Sequence, residues 1–246
     1  MEKSDYIFGI RPVLEAIEAA KSIDKIMIKR DLTGELIKEV LNKAREMDIP
    51  VQRVPNEKLN RITMKNHQGV IAIVCPVRYY DLDNLVADLY ESGKTPLGIM
   101  LDGVTDARNF GAIARSAECA GADFIVLPER GSASVTSDSV RASAGALFHI
   151  PVCRVKELPQ AIAKLHDNGY KIVGASEKGA VDYTTIDYTI PVVIVMGAED
   201  FGISNDVLRR CDELGAIPIL GKVESLNVSV ACGVMLYEAV RQRTGL

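Results

Sequence analysis

No apolar run in this chain approaches the ~20 residues that a membrane span requires, so no membrane-spanning helix is expected. The first residues, Met1-Glu-Lys-Ser-Asp5, carry acids and lack the apolar stretch of a signal peptide, and the expected location is cytoplasmic. Signatures of nucleotide and metal chemistry are missing as well. There is no GxGxxG after a strand, no GxxxxGK followed by Ser or Thr, and no HExxH, which removes support for nicotinamide cofactors, P-loop nucleotides and catalytic zinc. The three histidines, His67, His149 and His166, do not cluster, and no metal is expected. Five cysteines (Cys75, Cys119, Cys153, Cys211 and Cys232) are odd in number, widely spaced and without a CxxC pair, so they read as buried free thiols rather than disulfides or a zinc site. Neither an internal repeat nor a low-complexity segment is present.

What is present is ordinary for a soluble globular protein: 48% hydrophobic and 25% charged residues over 246 positions, enough for one large domain or two modest ones. The net charge of −4 argues mildly against a nucleic-acid partner, but it is unevenly spread. Residues 1–75 hold 13 Lys and Arg against 11 Asp and Glu, leaving 16 against 22 for the remainder, so an electrostatic footprint for RNA would have to come from local clustering.

In residues 1–75, short apolar runs at 25–28, 50–54 and 70–74 alternate with helical patterns at 11–20 and 35–47, which predicts a small α/β unit. Residues 76–96 have the composition of a linker, with room for a short helix. From residue 97 the alternation resumes on a larger scale. Strands are predicted near 97–101, 124–127, 152–155, 171–175, 192–196 and 215–219, and helices near 109–120, 137–145, 157–168, 204–210 and 227–242. This succession predicts an α/β fold with a mostly parallel sheet and helices on both faces.

Two regions carry chemistry. The apolar run Val192-Val-Ile-Val-Met196 breaks into Gly197-Ala-Glu-Asp-Phe-Gly202, a buried strand emptying into a glycine loop. A second run, Ala216-Ile-Pro-Ile-Leu220, ends in Gly221 and a loop carrying Glu224-Ser-Leu-Asn227 into a helix of small residues. Ser225 and Asn227 stand at a helix start, where backbone N–H groups are unpaired, and Glu199 is an acid soon after a buried strand, so together they form a candidate ligand site. Earlier, the strand at 97–101 runs into a turn rich in capping residues and a helix whose Gly111, Ala112, Ala114 and Ala117 permit close approach. Such a helix start can receive an anion. Asn109 lies near that start, and Arg115 is a long cation on an otherwise small-residue helix.

Asp106-Ala-Arg-Asn-Phe-Gly-Ala-Ile-Ala-Arg115, then Val195-Met-Gly-Ala-Glu-Asp-Phe-Gly202, then Ile217-Pro-Ile219 with Ser225-Leu-Asn-Val-Ser229, resemble in order and spacing the three motifs of the SPOUT-superfamily RNA ribose 2′-O-methyltransferases. The ending Leu236-Tyr-Glu-Ala-Val-Arg-Gln-Arg243 fits too. Within the superfamily the chain is most similar to the TrmH group, and there to RlmB-type enzymes that methylate a guanosine ribose of 23S rRNA. Their front domain resembles an L30e fold and often carries the phrase found here as His67-Gln-Gly-Val-Ile71.

The resemblance implies an L30e-like RNA-binding domain over 1–75, a linker over 76–96 and a SPOUT methyltransferase domain over 97–246 with a deep trefoil knot, an exception to the avoidance of knots. It implies S-adenosylmethionine as methyl donor, held around Met196, Gly197, Ile217, Ile219, Leu226 and Asn227, and a homodimer formed through the knot domain. It implies catalysis by Asn109, Arg115, Glu199 and Ser225, with Arg115 at the 2′-hydroxyl. Because a guanidinium stays protonated in proteins, Arg115 is read as stabilising the developing alkoxide and gripping a phosphate rather than as a base. Arg61, Lys65, Asn66 and His67, gathered shortly before Gly69, are candidate RNA contacts. The target read from the resemblance is a guanosine in the peptidyl-transferase P loop of 23S rRNA. The rival readings are a 2′-O-methyltransferase of tRNA or of another rRNA nucleotide, and a non-catalytic ribosome-assembly factor. Two positions depart from the family pattern: Ala107 stands where proline is usual, and Asp200 where glycine is more frequent.

Overall fold

Alternation of apolar side chains along the front strands builds a sheet with two covered faces. In the computed structural model, which describes residues 6–177 and 181–245, the chain divides into two units. These are Met1–Arg78 with Ser134–Asp138, and Tyr79–Ala133 with Ser139–Leu246. The N-terminal Met1–Asp5 stretch read for a signal peptide lies outside the described residues.

The first unit runs β1 (Tyr6–Phe8), α1 (Ile10–Glu18), β2 (Ile23–Lys29), α2 (Glu35–Glu46), β3 (Val51–Val54), α3 (Asn56–Asn60) and β4 (Val70–Val74). Its sheet has the order β1-β4-β2-β3, with β2 and β3 parallel and the other pairs antiparallel. Ile26, Ile28, Val70 and Ala72 face one side, where Val13 and Ile17 of α1 and Ile37 and Val40 of α2 pack on them. Met27, Ile71 and Ile73 face the other side with Leu59 of α3, as the two-residue period of a strand requires.

The phrase around His67 has a structural explanation inside this unit. Gly69 N–H donates to His67 Nδ1 at 2.9 Å, so that nitrogen carries no proton, and Nε2 donates to Asn60 Oδ1 at 2.9 Å. Gln68, at φ +52°, turns its Oε1 to accept from Ile10 N–H at 3.0 Å and thereby caps α1.

The second unit continues with β5 (Tyr79–Tyr80), α4 (Leu82–Glu91), β6 (Leu97–Asp102), α5 (Ala107–Cys119), β7 (Phe124–Pro128), α6 (Ser137–Ala142, of which Ser137 and Asp138 count with the first unit), β8 (Val152–Val155) and α7 (Leu158–Asp167). It ends with β9 (Lys171–Ala175), β10 (Val181–Asp182), β11 (Val192–Gly197), α8 (Asn205–Leu208), β12 (Glu213–Ala216) and α9 (Val228–Thr244). The strand order is β10-β12-β9-β11-β6-β7-β8-β5, and every pair is parallel. Residues 79–91 of the stretch expected as a linker form β5 and α4, whose Leu82 and Val86 join the core with Leu158, Ile162 and Leu165 of α7. Helices α5 and α9 pack together, and α9 also contacts β11 and β9.

One strand expectation needs correction. The run at 215–219 is not a strand throughout: β12 ends at Ala216, and the following residues are loop, with Leu220 98% exposed. Pro218 has no N–H to give a neighbouring strand. No helix among the described residues is long and apolar enough to cross a membrane. All five cysteines are free thiols. Cys119 is exposed, while burial pushes Cys153, Cys211 and Cys232 up to about 12.

The far end of α9 is pinned to the starts of the central strands. Arg243 donates to Tyr188 O at 2.8 Å, Thr95 O at 2.6 Å, Pro96 O at 3.0 Å and Ile190 O at 2.8 Å. Partial burial pulls its pKa below the usual guanidinium value, yet the group keeps its proton at neutral pH. Gln242 completes the clamp, accepting from Tyr188 N–H at 3.0 Å and donating to Ile186 O at 2.9 Å. Removing the guanidinium strands four carbonyls, so Arg243→Ala is expected to lower stability by about 2–3 kcal/mol. Urea unfolding checks this; an unchanged midpoint would mean the clamp is dispensable.

Candidate functional site

A parallel sheet buried on both faces leaves its ligand sites at the carboxyl ends of its strands, near the point where the strand order reverses. Here β6 and β11 lie side by side with Asp102 opposite Gly197, so the loops that follow them leave at the same level. Asp102 Oδ2 accepts from Ser204 N–H at 2.7 Å and ties the second loop to the end of the first strand. The loop 198–202 folds back on itself, Ala198 and Gly202 exchanging N–H···O bonds of 3.0 and 2.9 Å. That return is possible because residue 197 has no side chain: a Cβ there would lie 2.2 Å from Gly202 C and 2.3 Å from Ile203 N.

Two helix starts meet the loop. Asp106 caps α5, accepting from the N–H groups of Arg108 at 2.8 Å and Asn109 at 3.1 Å. The Arg108 guanidinium, then these N–H groups, hold its carboxyl below the usual carboxylate range. Asn227 caps α9, its Oδ1 accepting from Ser229 N–H at 2.9 Å and Oγ at 2.6 Å. That leaves Asn227 Nδ2 to donate to Asn109 Oδ1 at 3.1 Å, and Asn109 Nδ2 to donate to Glu199 Oε1. A carboxylate can only accept and a backbone N–H can only donate, so both amide orientations are fixed by their partners. The relay Asn227–Asn109–Glu199 joins the two helix starts to the loop after β11.

Beside the relay is a cleft of about 580 Å³, within the ~300–1,000 Å³ range of small-molecule sites. Met196, Gly197, Ile217, Ile219, Leu226 and Asn227 all line it, and so do Glu199 and Ser225. Asn109 reaches it through its bonds to Glu199 and Asn227. Arg115 does not line it. This exposed cation makes no hydrogen bond or ion pair with a described residue. Six residues along α5 carry it ~9 Å further along the axis and about 240° around it from Asn109. In the first unit, Arg61, Lys65 and Asn66 are exposed, whereas His67 is buried with both ring nitrogens engaged.

Sequence reasoning missed Glu177 and Glu224 as wall residues of this cleft, and Asp102 as the loop's anchor. Glu177 was findable in principle, since it follows a predicted strand, β9, whose neighbour is β11. Nothing local in the sequence marks Asp102 as the partner of a backbone N–H 102 residues away. Crowding of backbone against backbone makes Gly197→Ala an overpacking change of roughly 2 kcal/mol. A fall in melting temperature of about 4–8 °C is therefore expected, and a melting curve superimposable on the unmodified protein's would contradict the close approach.

Known proteins resemble this chain in both of its units. The SpoU rRNA Methylase family matches residues 96–237, and the domain described as RNA 2′-O ribose methyltransferase substrate binding matches residues 6–80. A Staphylococcus saprophyticus protein named for the TrmH family of tRNA/rRNA methyltransferases is 40% identical over 237 residues, 96% of this chain and 95% of its own length. Among solved structures, the AdoMet-bound rRNA methyltransferase from Sinorhizobium meliloti is 30% identical with a TM-score of 0.62, covering 96% of this chain and 87% of its own. The SpoU methyltransferase AviRb from Streptomyces viridochromogenes, in complex with AdoMet, is 29% identical with a TM-score of 0.63, covering 98% and 91%. By sequence over nearly its whole length and by fold, the chain belongs to the SpoU family of RNA methyltransferases.

Proposed function

We propose that this protein methylates the 2′-hydroxyl of an RNA ribose with S-adenosylmethionine as donor, and that its target is a guanosine in the P loop of 23S rRNA, as in RlmB-type enzymes. The observation that carries the reading is the meeting of Met196, Gly197, Ile217, Ile219, Leu226 and Asn227 on one cleft beside the Asn227–Asn109–Glu199 relay. The cleft suits the donor: its apolar side chains can flank an adenine whose edge pairs with main-chain groups, and its acids suit a positive sulfur. The donor supplies a methyl group bonded to a sulfonium.

The chain's own residues do the rest. The relay holds Glu199 and the α9 start in fixed positions, and Ser225 offers a hydroxyl on the same wall. Holding two reactants in line supplies much of the acceleration of such a transfer. Arg115 grips a phosphate and stabilises the alkoxide that develops at the ribose oxygen, whose proton passes to water or to a phosphate oxygen. Because Arg115 stands apart from the cleft of its own chain, the reading includes a homodimer. An uncovered apolar stripe supports it: Val230, 51% exposed, Val234 and Tyr237, 54% exposed, recur at helical spacing on α9. The reading also includes the trefoil knot, with the segment leading into α9 passing through an earlier loop of the second unit.

The front unit docks RNA through Arg61, Lys65 and Asn66, with His67 holding the loop that presents them. Arg61→Ala with Lys65→Ala is expected to weaken RNA binding several-fold and to flatten its dependence on salt, leaving donor affinity intact. Unchanged RNA affinity and salt slope would refute that docking.

Transfer of labelled methyl into unmodified 23S rRNA, followed by mapping of the modified ribose, tests the function. One 2′-O-methylguanosine in the P loop is expected. Label found only in tRNA would keep the chemistry and replace the target, and absence of label in any RNA would favour a non-catalytic role. In the same assay Arg115→Lys should lose at least about tenfold in rate, since a point charge cannot replace a planar fork.

A further inference from the structure

The wall of the cleft is one-signed. Among the described residues that line it, every ionisable side chain is a carboxylate: Glu177, Glu199, Asp200 and Glu224. All four are exposed, and none forms an ion pair with a described residue. Glu199 is held by Asn109, and the other three stand free of any bond to a described group. The feature is independent of the hydrogen-bond relay and runs against the needs of the RNA, a polyanion that four uncompensated acids repel. Arg61, Lys65 and Arg115, the cations assigned to RNA above, lie off this wall.

Such an arrangement is favourable when the small-molecule occupant is positive. The proposed donor carries a sulfonium; its demethylated product, S-adenosylhomocysteine, has the same adenosine and amino-acid ends but a neutral thioether. The two differ by one methyl group and one positive charge. We infer that the carboxylates of this wall make the cleft selective for charge, so that Asp200, Glu224 and Glu177 favour S-adenosylmethionine over S-adenosylhomocysteine and promote product departure. The inference rests on the donor-binding reading of the cleft. An exposed carboxylate within about one Debye length of a positive group contributes a factor of about 2 in affinity at low salt and less at high salt.

Calorimetric titration of the full chain tests it without any turnover. The ligands are S-adenosylmethionine, S-adenosylhomocysteine and sinefungin, which has a protonated amine where the donor has its methylated sulfur. In the Asp200→Asn, Glu224→Gln double variant, affinity for the two charged ligands is expected to fall about 3–5-fold, while that for S-adenosylhomocysteine changes by less than about 1.5-fold. Salt should weaken the two charged ligands alone in the unmodified protein, and Asp200→Glu, which keeps the charge, should preserve the ratio. A common factor for all three ligands, or no change for any, would overturn charge selection while leaving the donor reading intact. If none of the three binds the unmodified protein, the donor reading fails and this inference with it.

Discussion

The in-register parallel pairing of β6 with β11 is the constraint on which the rest of the second unit depends. Six residue pairs, from Leu97 with Val192 to Asp102 with Gly197, bring two strands almost a hundred positions apart to the same finishing line. Because both stop together, Asp102 can hold the N–H of Ser204, and the loop after β11 can fold back over a residue without a side chain. Helix α5, which follows β6, packs on α9, which also contacts β11, and the caps of α5 and α9 are close enough for Asn109 and Asn227 to bond. Slip the pairing by one residue and every one of these contacts is lost, since alternate side chains would exchange faces.

Helix α9 transmits that order across the unit. Its start belongs to the relay beside the cleft, and its end is clamped by Gln242 and Arg243 to the backbone at the strand starts. With 17 residues the helix spans about 25 Å. One rigid element therefore fixes both ends of the central strands. The charges divide by role: the ionisable side chains that line the cleft are acids, whereas Arg115 and the loop cations of the front unit are exposed and do not line it. For an enzyme that must hold a cationic donor and a polyanionic substrate near one another, this separation limits competition between the two.

How much of this was legible in the sequence follows from how much each element depends on its own residues. Strands β6, β7, β9 and β11 were readable because strands buried on both faces must be continuous apolar runs, and Val192–Met196 could be little else. Helices α1, α2, α5, α7 and α9 announced themselves by spacing or by a capping residue such as Asp106 or Asn227. The short strands β1, β5 and β10 exist because a neighbour pairs with them, which no local pattern records. Ile217 to Leu220 misled for the opposite reason: an apolar run there serves the cleft wall and loop, not a sheet. Six cleft residues were nameable through the resemblance of the three motifs to a known family, but the bond between Asn109 and Glu199 and the acid wall that includes Glu177 required distant segments to be brought together. His67, by its chemistry a plausible contact for RNA, turns inward because Gly69 and Asn60 engage both of its nitrogens.

The central claim is that the three loops joined by the Asn227–Asn109–Glu199 relay form the donor site. A crystal structure of the full chain with S-adenosylmethionine at saturating concentration tests it most directly. The account requires ligand density against Met196, Ile217 and Leu226, with the relay intact beside it. Density seated elsewhere on the molecule, with this cleft empty, would contradict it.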